Sequence, residues 1–393
     1  MTRAFRRSSV FASYRAALSS LAFDIAELIP GVLLFTLIKP LESEMVWVIP
    51  LYPALLSVRG VINGIFSGRI STGLHLGTIK PQLMGNTDYL WNLYLSMAAI
   101  TSLSGSVIGL LMSILYMNLE ILFVVINTML LSFLIVSHIT LIVAFIGFKS
   151  GLDPDYFLYP IMSTLADILV TILYFFVISL YSLGKVSAQL MIFIVLIVLF
   201  VILFFKIKMY IYKNSVIEIL LNMLFSVGVT SFIAFLTGVT LGTGISIMPP
   251  QMYAVYPALI GTIGGAGSIL GSLSTTRLAL GEVSGLRTYV TNRENAKEIV
   301  GIKLALLTMF TLYSMVVSII RVKRFNVNIL TTFVMFILVG AAAFGIIGAI
   351  SLLIAFVSYR VGLDPDDFVN PFISTLADLV TTAVLVLFSY IMF

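Results

Sequence analysis

Ten stretches of about 20 residues, each apolar and almost free of charge, run from residue 17 to the C-terminus and leave few folds open to this chain. A run of that length crosses the hydrocarbon core of a bilayer as a helix. In the first half the stretches fall near 17–38, 46–66, 90–116, 121–147 and 158–182. In the second they fall near 216–243, 252–276, 300–320, 329–358 and 368–392. Lys185 and Lys206 bracket 20 further uncharged residues rich in Ile, Val, Leu and Phe, an eleventh span that looks alike on every face. The expected fold is all-α: a polytopic membrane protein of about 11 transmembrane helices.

Composition agrees and narrows the functions. Only 10% of residues are charged, against roughly 25% in a soluble domain, and 60% are hydrophobic. There is no Cys, which excludes disulfides, thiolate metal sites and Cys nucleophiles. The net charge of +5 sits in short loops and reads as a topology signal, not a nucleic-acid signal. No cleavable signal peptide is expected, because Arg3, Arg6 and Arg7 precede no apolar run before Ala16.

The chain is internally duplicated. Residues 151–171 (Gly-Leu-Asp-Pro-Asp … Ser-Thr-Leu-Ala-Asp) match 362–382 at 13 of 21 positions without a gap. Tyr52-Pro53-Ala54-Leu55 matches Tyr256-Pro257-Ala258-Leu259, and Gly60, Leu74, Leu76 and Gly77 match Gly264, Leu278, Leu280 and Gly281, all 204 residues apart. The later motif is offset by 211, so the second copy holds seven extra residues, expected in the polar loop near Gly285 to Glu298. The division is 1–184 for the first five-helix repeat, 185–214 for a linker helix and 215–393 for the second repeat. Five spans is odd, so the linker makes the copies parallel, related by a pseudo-two-fold axis along the membrane normal. An internal pseudo-dimer of this kind makes a monomer sufficient. With the N-terminus cytoplasmic and the C-terminus outside a plasma membrane, 16 of the 22 Lys and Arg lie inside. Arg321, Lys323 and Arg324 run against the positive-inside rule.

Each copy carries one carboxylate in its apolar fifth span, Asp167 and Asp378, an expensive placement that marks function. Pro160 and Pro371 suit a first helical turn, with the Asp seven residues on. Ser163, Asp167 and Thr171 fall at i, i+4 and i+8, and Ser374, Asp378 and Thr382 repeat the stripe. Two-fold symmetry would bring the stripes together, and two facing carboxylates need a proton or a cation between them. The oxygen-only ligand set, including the amide of Asn63, favours a hard divalent cation, Mg²⁺ first, with Mn²⁺ and Ca²⁺ as alternatives. Packing bonds within the bundle are the bland alternative for each Asp.

Asp153 and Asp364 stand at the mouth as cation-attracting groups, while Asp155 and Asp366 read as turn and helix-cap residues. Ser163 and Ser374 are open between coordination and intrahelical bonding. Asp24 and Glu27, one turn apart in the first span, have no acidic counterpart in the second copy. Asp24 either lines the pathway, carrying a proton or coupling ion such as Na⁺, or is buried against Arg59. His75 reads as a loop residue and His138 as a packed one. The Gly-rich second spans read as close helix packing.

At these residues the chain resembles the MgtE-type magnesium channels and their solute-carrier relatives with two fused copies. The resemblance rests on the Gly-Leu-Asp-Pro … Pro … Ser-Thr-Leu-Ala-Asp run and on Pro-Ala-Leu … Arg-Gly … Asn-Gly … Arg-Ile-Ser-Thr … Leu-Gly over 53–77. It implies a five-helix unit doubled around a cation pore, with Asp167 and Asp378 binding the ion and Asp153 and Asp364 at the cytoplasmic end. It covers only the membrane portion of the bacterial channels and implies no magnesium-sensing gate. Asn63 matches the family's second-span polar position, where Gly267 stands in the second copy. Arg59 against Ile263 points to a path made asymmetric after duplication.

The expected function is transport of divalent cations, with no cofactor and no covalent chemistry. The partners are the ion and the lipid bilayer, without nucleic acid. Two rivals stand beside it: a Na⁺- or H⁺-coupled exchanger, and an intramembrane carboxylate enzyme.

Overall fold

A computed structural model of the chain describes residues 9–38, 45–152, 154–182, 215–279, 281–283, 285–320, 328–361 and 365–393, with isolated residues between 189 and 199. Every regular element among them is helical. In chain order these are α1 (Val10–Leu21), a 3₁₀ segment (Ala22–Glu27), α2 (Leu28–Ile38), α3 (Val48–His75), α4 (Asp88–Leu115), α5 (Glu120–Lys149) and α6 (Pro154–Ser182). There follow α7 (Ser215–Gly244), a 3₁₀ turn (Pro250–Ala254), α8 (Tyr256–Ala279), α9 (Leu286–Thr291), α10 (Arg293–Ile319), α11 (Ile329–Val361) and α12 (Pro365–Met392). Among the described residues ten spans, counting α1 to α2 as one, are long and apolar enough to cross a membrane. The linker span, 185–214, lies for the most part outside the described residues.

The chain groups into two compact units, 37–238 and 1–36 with 239–393. In the first, α3 packs against α6, α4 against α5, and α5 against α6. In the second, α8 packs against α12, α11 against α12, and α1 against α10. Most side chains of α3 are buried, including the polar stripe Arg59, Asn63, Ser67 and Ser71 at i, i+4, i+8 and i+12.

The units exchange their first spans relative to the sequence repeats. Residues 1–36 group with the second repeat, and α7 groups with the first repeat up to Gly238. Glycine makes both crossings close. A Cβ on Gly31 would overlap the Ala254 carbonyl, and one on Gly238 would overlap the Pro50 carbonyl and lie 2.6 Å from Met112 Cε. Pro50 and Ala254 occupy matching places in the two copies.

Local chemistry sets the helix ends. Gly151 (φ +79°) closes α5, its N–H bonding Phe148 O and the next N–H bonding Gly147 O, the paired bonds of a Schellman cap. Gly77 (φ +70°) and Gly281 (φ +71°) end the second spans of the two copies alike, so the repeated Leu-x-Leu-Gly is a structural stop signal. His75 is the last residue of α3, not a loop residue. In the first span, Pro30 has no N–H for the Ala26 carbonyl, and the preceding turn tightens into the 3₁₀ segment that holds Asp24 and Glu27.

Two expectations change here. Helices α6 and α12 begin at Pro154 and Pro365, so Pro160 and Pro371 lie inside them. The earlier proline takes the harmless first position, and an interior proline is tolerated in a membrane-spanning helix. Asp167 therefore stands 13 residues, about 20 Å at 1.5 Å per residue, along its helix, not the seven residues expected from Pro160. The extra residues of the second copy are also misplaced in the sequence reading. Helices α4 and α10 start 205 and end 204 residues apart, whereas α5 and α11 start 209 and end 212 apart. The insertion thus enters between the third and fourth spans, in the loop carrying Arg321, Lys323 and Arg324, and lengthens the fourth span. The polar loop instead folds into α9, whose buried Tyr289 has its phenol pushed up to about 12 by desolvation.

Replacing Gly31 or Gly238 with Val should lower stability by about 1–3 kcal/mol or more, since a backbone carbonyl cannot rotate away. Thermal unfolding of the purified protein in detergent checks this. Gly228→Val, where a Cβ would meet nothing within 4 Å, should leave the midpoint in place.

Candidate ion-binding site

The two fifth spans are held to their second spans by the same bond. Tyr52 Oη lies 2.8 Å from Thr171 Oγ1, and Tyr256 Oη lies 2.7 Å from Thr382 Oγ1. In each copy the Thr hydroxyl donates to the carbonyl of the Asp one turn earlier, Thr171 to Asp167 O and Thr382 to Asp378 O, both at 2.6 Å. A hydroxyl has one proton, so the tyrosine must donate to the threonine. The direction of the chain, Tyr to Thr to Asp carbonyl, is therefore fixed. Thr171 and Thr382 are satisfied by these bonds and serve as fasteners, not as ion ligands.

Further bonds set the orientation of the pairs. Tyr174 Oη donates to Val48 O at 2.7 Å, one turn before Tyr52 on α3 and one turn after Thr171 on α6. The two helices are antiparallel. Moving two turns along α3 from Tyr52 reaches Arg59, and moving one turn back along α6 from Thr171 reaches Asp167. The long Arg side chain covers the remaining offset, and the two charges interact. Arg59 is fully buried, and its Nε has no hydrogen-bond partner. Asp167 is half-buried and Asp378 is buried. In the second copy the residue matching Arg59 is Ile263, not a base. A Cβ on Gly264 would lie 3.7 Å from Ala377 Cβ, so α8 and α12 are in close contact there.

Ser163 and Ser374 are half-buried one turn before their aspartates, on the same helix faces. Asn63 is buried one turn beyond Arg59. Its Oδ1 accepts a long bond, 3.4 Å, from Thr140 of α5, and its Nδ2 has no partner. Asp153 and Asp364 lie outside the described residues, as do the side chains of Asp155, Asp366, Pro160 and Pro371. Among the described residues no three His, Asp or Glu side chains gather as a preformed metal cage.

Asp24 takes different neighbours from the Arg59 considered for it. Thr262 of α8 hydrogen-bonds its carboxylate, and Tyr313 of α10 lies 2.8 Å from the same Thr262 hydroxyl. Asp24 Oδ2 is buried without a partner. Glu27 is buried beside it in the same 3₁₀ segment, its Cγ 3.8 Å from where a Cβ on Gly261 would stand. The pairing of Arg59 with Asp167 was the point the sequence reading missed. The repeated Tyr52/Tyr256 and Thr171/Thr382 carried the signal, because they set the register that carries Arg59 towards Asp167.

These features define a polytopic helical membrane protein whose duplicated unit fixes one carboxylate inside the fifth span of each copy. Such an oxygen-donor arrangement suits passage of a hard cation, not covalent catalysis. The chain belongs to the MgtE divalent cation transporter family, whose model matches residues 52–177 and 256–388, the second to fifth spans of each copy. No curated protein and no solved structure matches it. MgtE is a transporter family, so divalent cation transport across a membrane, not enzymatic turnover, is the family-level activity.

Tyr52→Phe and Tyr256→Phe should each lower stability by about 1 kcal/mol, within the range of hydroxyl bonds inside membrane bundles. A double-mutant cycle of Tyr256→Phe with Thr382→Val, followed by thermal unfolding, should return a coupling of that size.

Proposed function

We propose that the protein carries Mg²⁺ through a cytoplasm-facing path in which Asp167 and Asp378, one from each repeat, bind the ion through its waters. Mg²⁺ sheds water reluctantly and is held in proteins by one or two carboxylates. The observation that carries this reading is the duplicated fastening of the two aspartates: the same Tyr–Thr–Asp carbonyl chain holds each one in its fifth span. A carboxylate needed only for packing gives no reason for identical fastening in both copies. Ser163, Ser374 and Asn63 supply neutral oxygens near the path, and Asp153 and Asp364 draw cations to its cytoplasmic mouth. The N-terminus is cytoplasmic, the membrane is the plasma membrane, and a single chain suffices.

Uptake of Mg²⁺ into proteoliposomes tests this. Asp378→Asn and Asp167→Asn should each cut flux at least about tenfold, in line with the loss of a charged ligand. Native flux in both variants overturns the assignment. Mn²⁺ and Ca²⁺ in the same assay rank selectivity.

One feature favours a second reading, a coupled exchanger. The first span is interrupted at Asp24 and Glu27, and broken helices with buried acids are where transporters bind coupling ions. On that reading native Mg²⁺ flux requires a Na⁺ or pH gradient, and Asp24→Asn removes the requirement or the flux. Mg²⁺ movement that is equally fast with no gradient discards it.

A further inference from the structure

We propose that Arg59 is a tethered counter-cation for Asp167, an internal competitor that a divalent ion must displace and that sets the affinity of the path. The inference rests on the transport reading above and adds what makes the two halves unequal.

Three observations converge on it. The hydrogen bonds from α6 to α3, Tyr174 to Val48 and Tyr52 with Thr171, fix an antiparallel register that brings Arg59 within reach of Asp167. Arg59 is fully buried, its charge interacts with Asp167, and its Nε is left without a partner. A guanidinium has five N–H donors and stays charged in proteins, so it does not neutralise itself by losing a proton. Its only economical state is beside a carboxylate, and the register offers Asp167. The matched position in the other copy is Ile263, on a helix held to its partner by the same Tyr–Thr bond.

Space differs between the copies at the same level. A Cβ on Gly60, next to Arg59, would meet nothing within 4 Å. One on Gly264 would touch Ala377 and Ser374. The backbone next to Arg59 is therefore less tightly packed than the matched place in the second copy. A long, flexible side chain can release its carboxylate when a doubly charged ion arrives, then return when the ion leaves. Such a tether lowers affinity and speeds release, which favours throughput over tight binding.

Charge counting makes the inference testable. The native path carries two carboxylates and one guanidinium. The variants are R59Q, R59K, D167N and D167N/R59Q, with D378N alongside. The readout is the Mg²⁺ concentration giving half-maximal flux in proteoliposomes.

R59Q should lower that concentration by about tenfold, since the ion no longer competes with a fixed charge. R59K, which keeps the charge, should stay within about threefold of native. D167N leaves the guanidinium unbalanced and should be impaired more severely than D378N. D167N/R59Q removes both charges and should recover to about the level of D378N, which also lacks one carboxylate. An unchanged or higher half-saturation in R59Q overturns the proposal. So does a double variant as impaired as D167N, the result expected if Arg59 only packs. Should R59Q fail to fold, the double variant decides, because it leaves no lone charge. If D167N and D378N both transport normally, the transport site itself is wrong, a distinct outcome.

Discussion

A tyrosine hydroxyl bonded to a threonine, once per copy, is the contact on which the site depends. Within a bilayer there is little hydrophobic force pulling helices together, because lipid tails are as apolar as leucine. Register between two apolar spans must then come from close packing and from a few polar bonds. Tyr52 with Thr171 and Tyr256 with Thr382 provide such bonds. Each threonine donates a hydrogen bond to the carbonyl of the fifth-span aspartate, so the same residue both aligns the helix pair and tethers the backbone at the acid.

Given that register, the energetics of the acids follow. An aspartate at the centre of a span costs about 2.5–3.5 kcal/mol on insertion scales. Arg59 offsets this at Asp167, and a buried partner stripped from such a pair leaves a penalty of about 3–5 kcal/mol. Nothing basic stands at the equivalent place in α8. Duplication thus preserved the fastening of the two acids and changed their electrostatic setting. The two copies share the Tyr–Thr–Asp fastening and differ in charge.

Much of the architecture was legible in the sequence because a bilayer leaves so few options. Span length and the absence of charge gave the helices, and the two offsets gave the duplication. What escaped were features set by geometry between residues far apart in the chain. The interruption at Asp24 is caused by Pro30, six residues downstream, and looks like ordinary apolar sequence. The helix starts at Pro154 and Pro365 were read one proline too late, because both prolines of each motif are chemically able to begin a helix. The insertion was assigned to the more polar loop, yet it lies in the one with the basic cluster. That cluster had looked only like an exception to the charge rule. Arg59 was flagged as unusual, but its partner could not be chosen without knowing that α3 and α6 run antiparallel with Tyr52 beside Thr171.

The exchange of first spans has a consequence for biogenesis. The segment α1 to α2 finds its resting place against α8 and α10, which are made some 250 residues later. Until then its two acids at the helix break have no Thr262 or Tyr313 beside them. The nascent chain must hold a half-finished span in the insertion machinery, or in lipid, while the rest is translated. The unit formed by 1–36 and 239–393 is split in the chain, so it is complete only after α12 has been made.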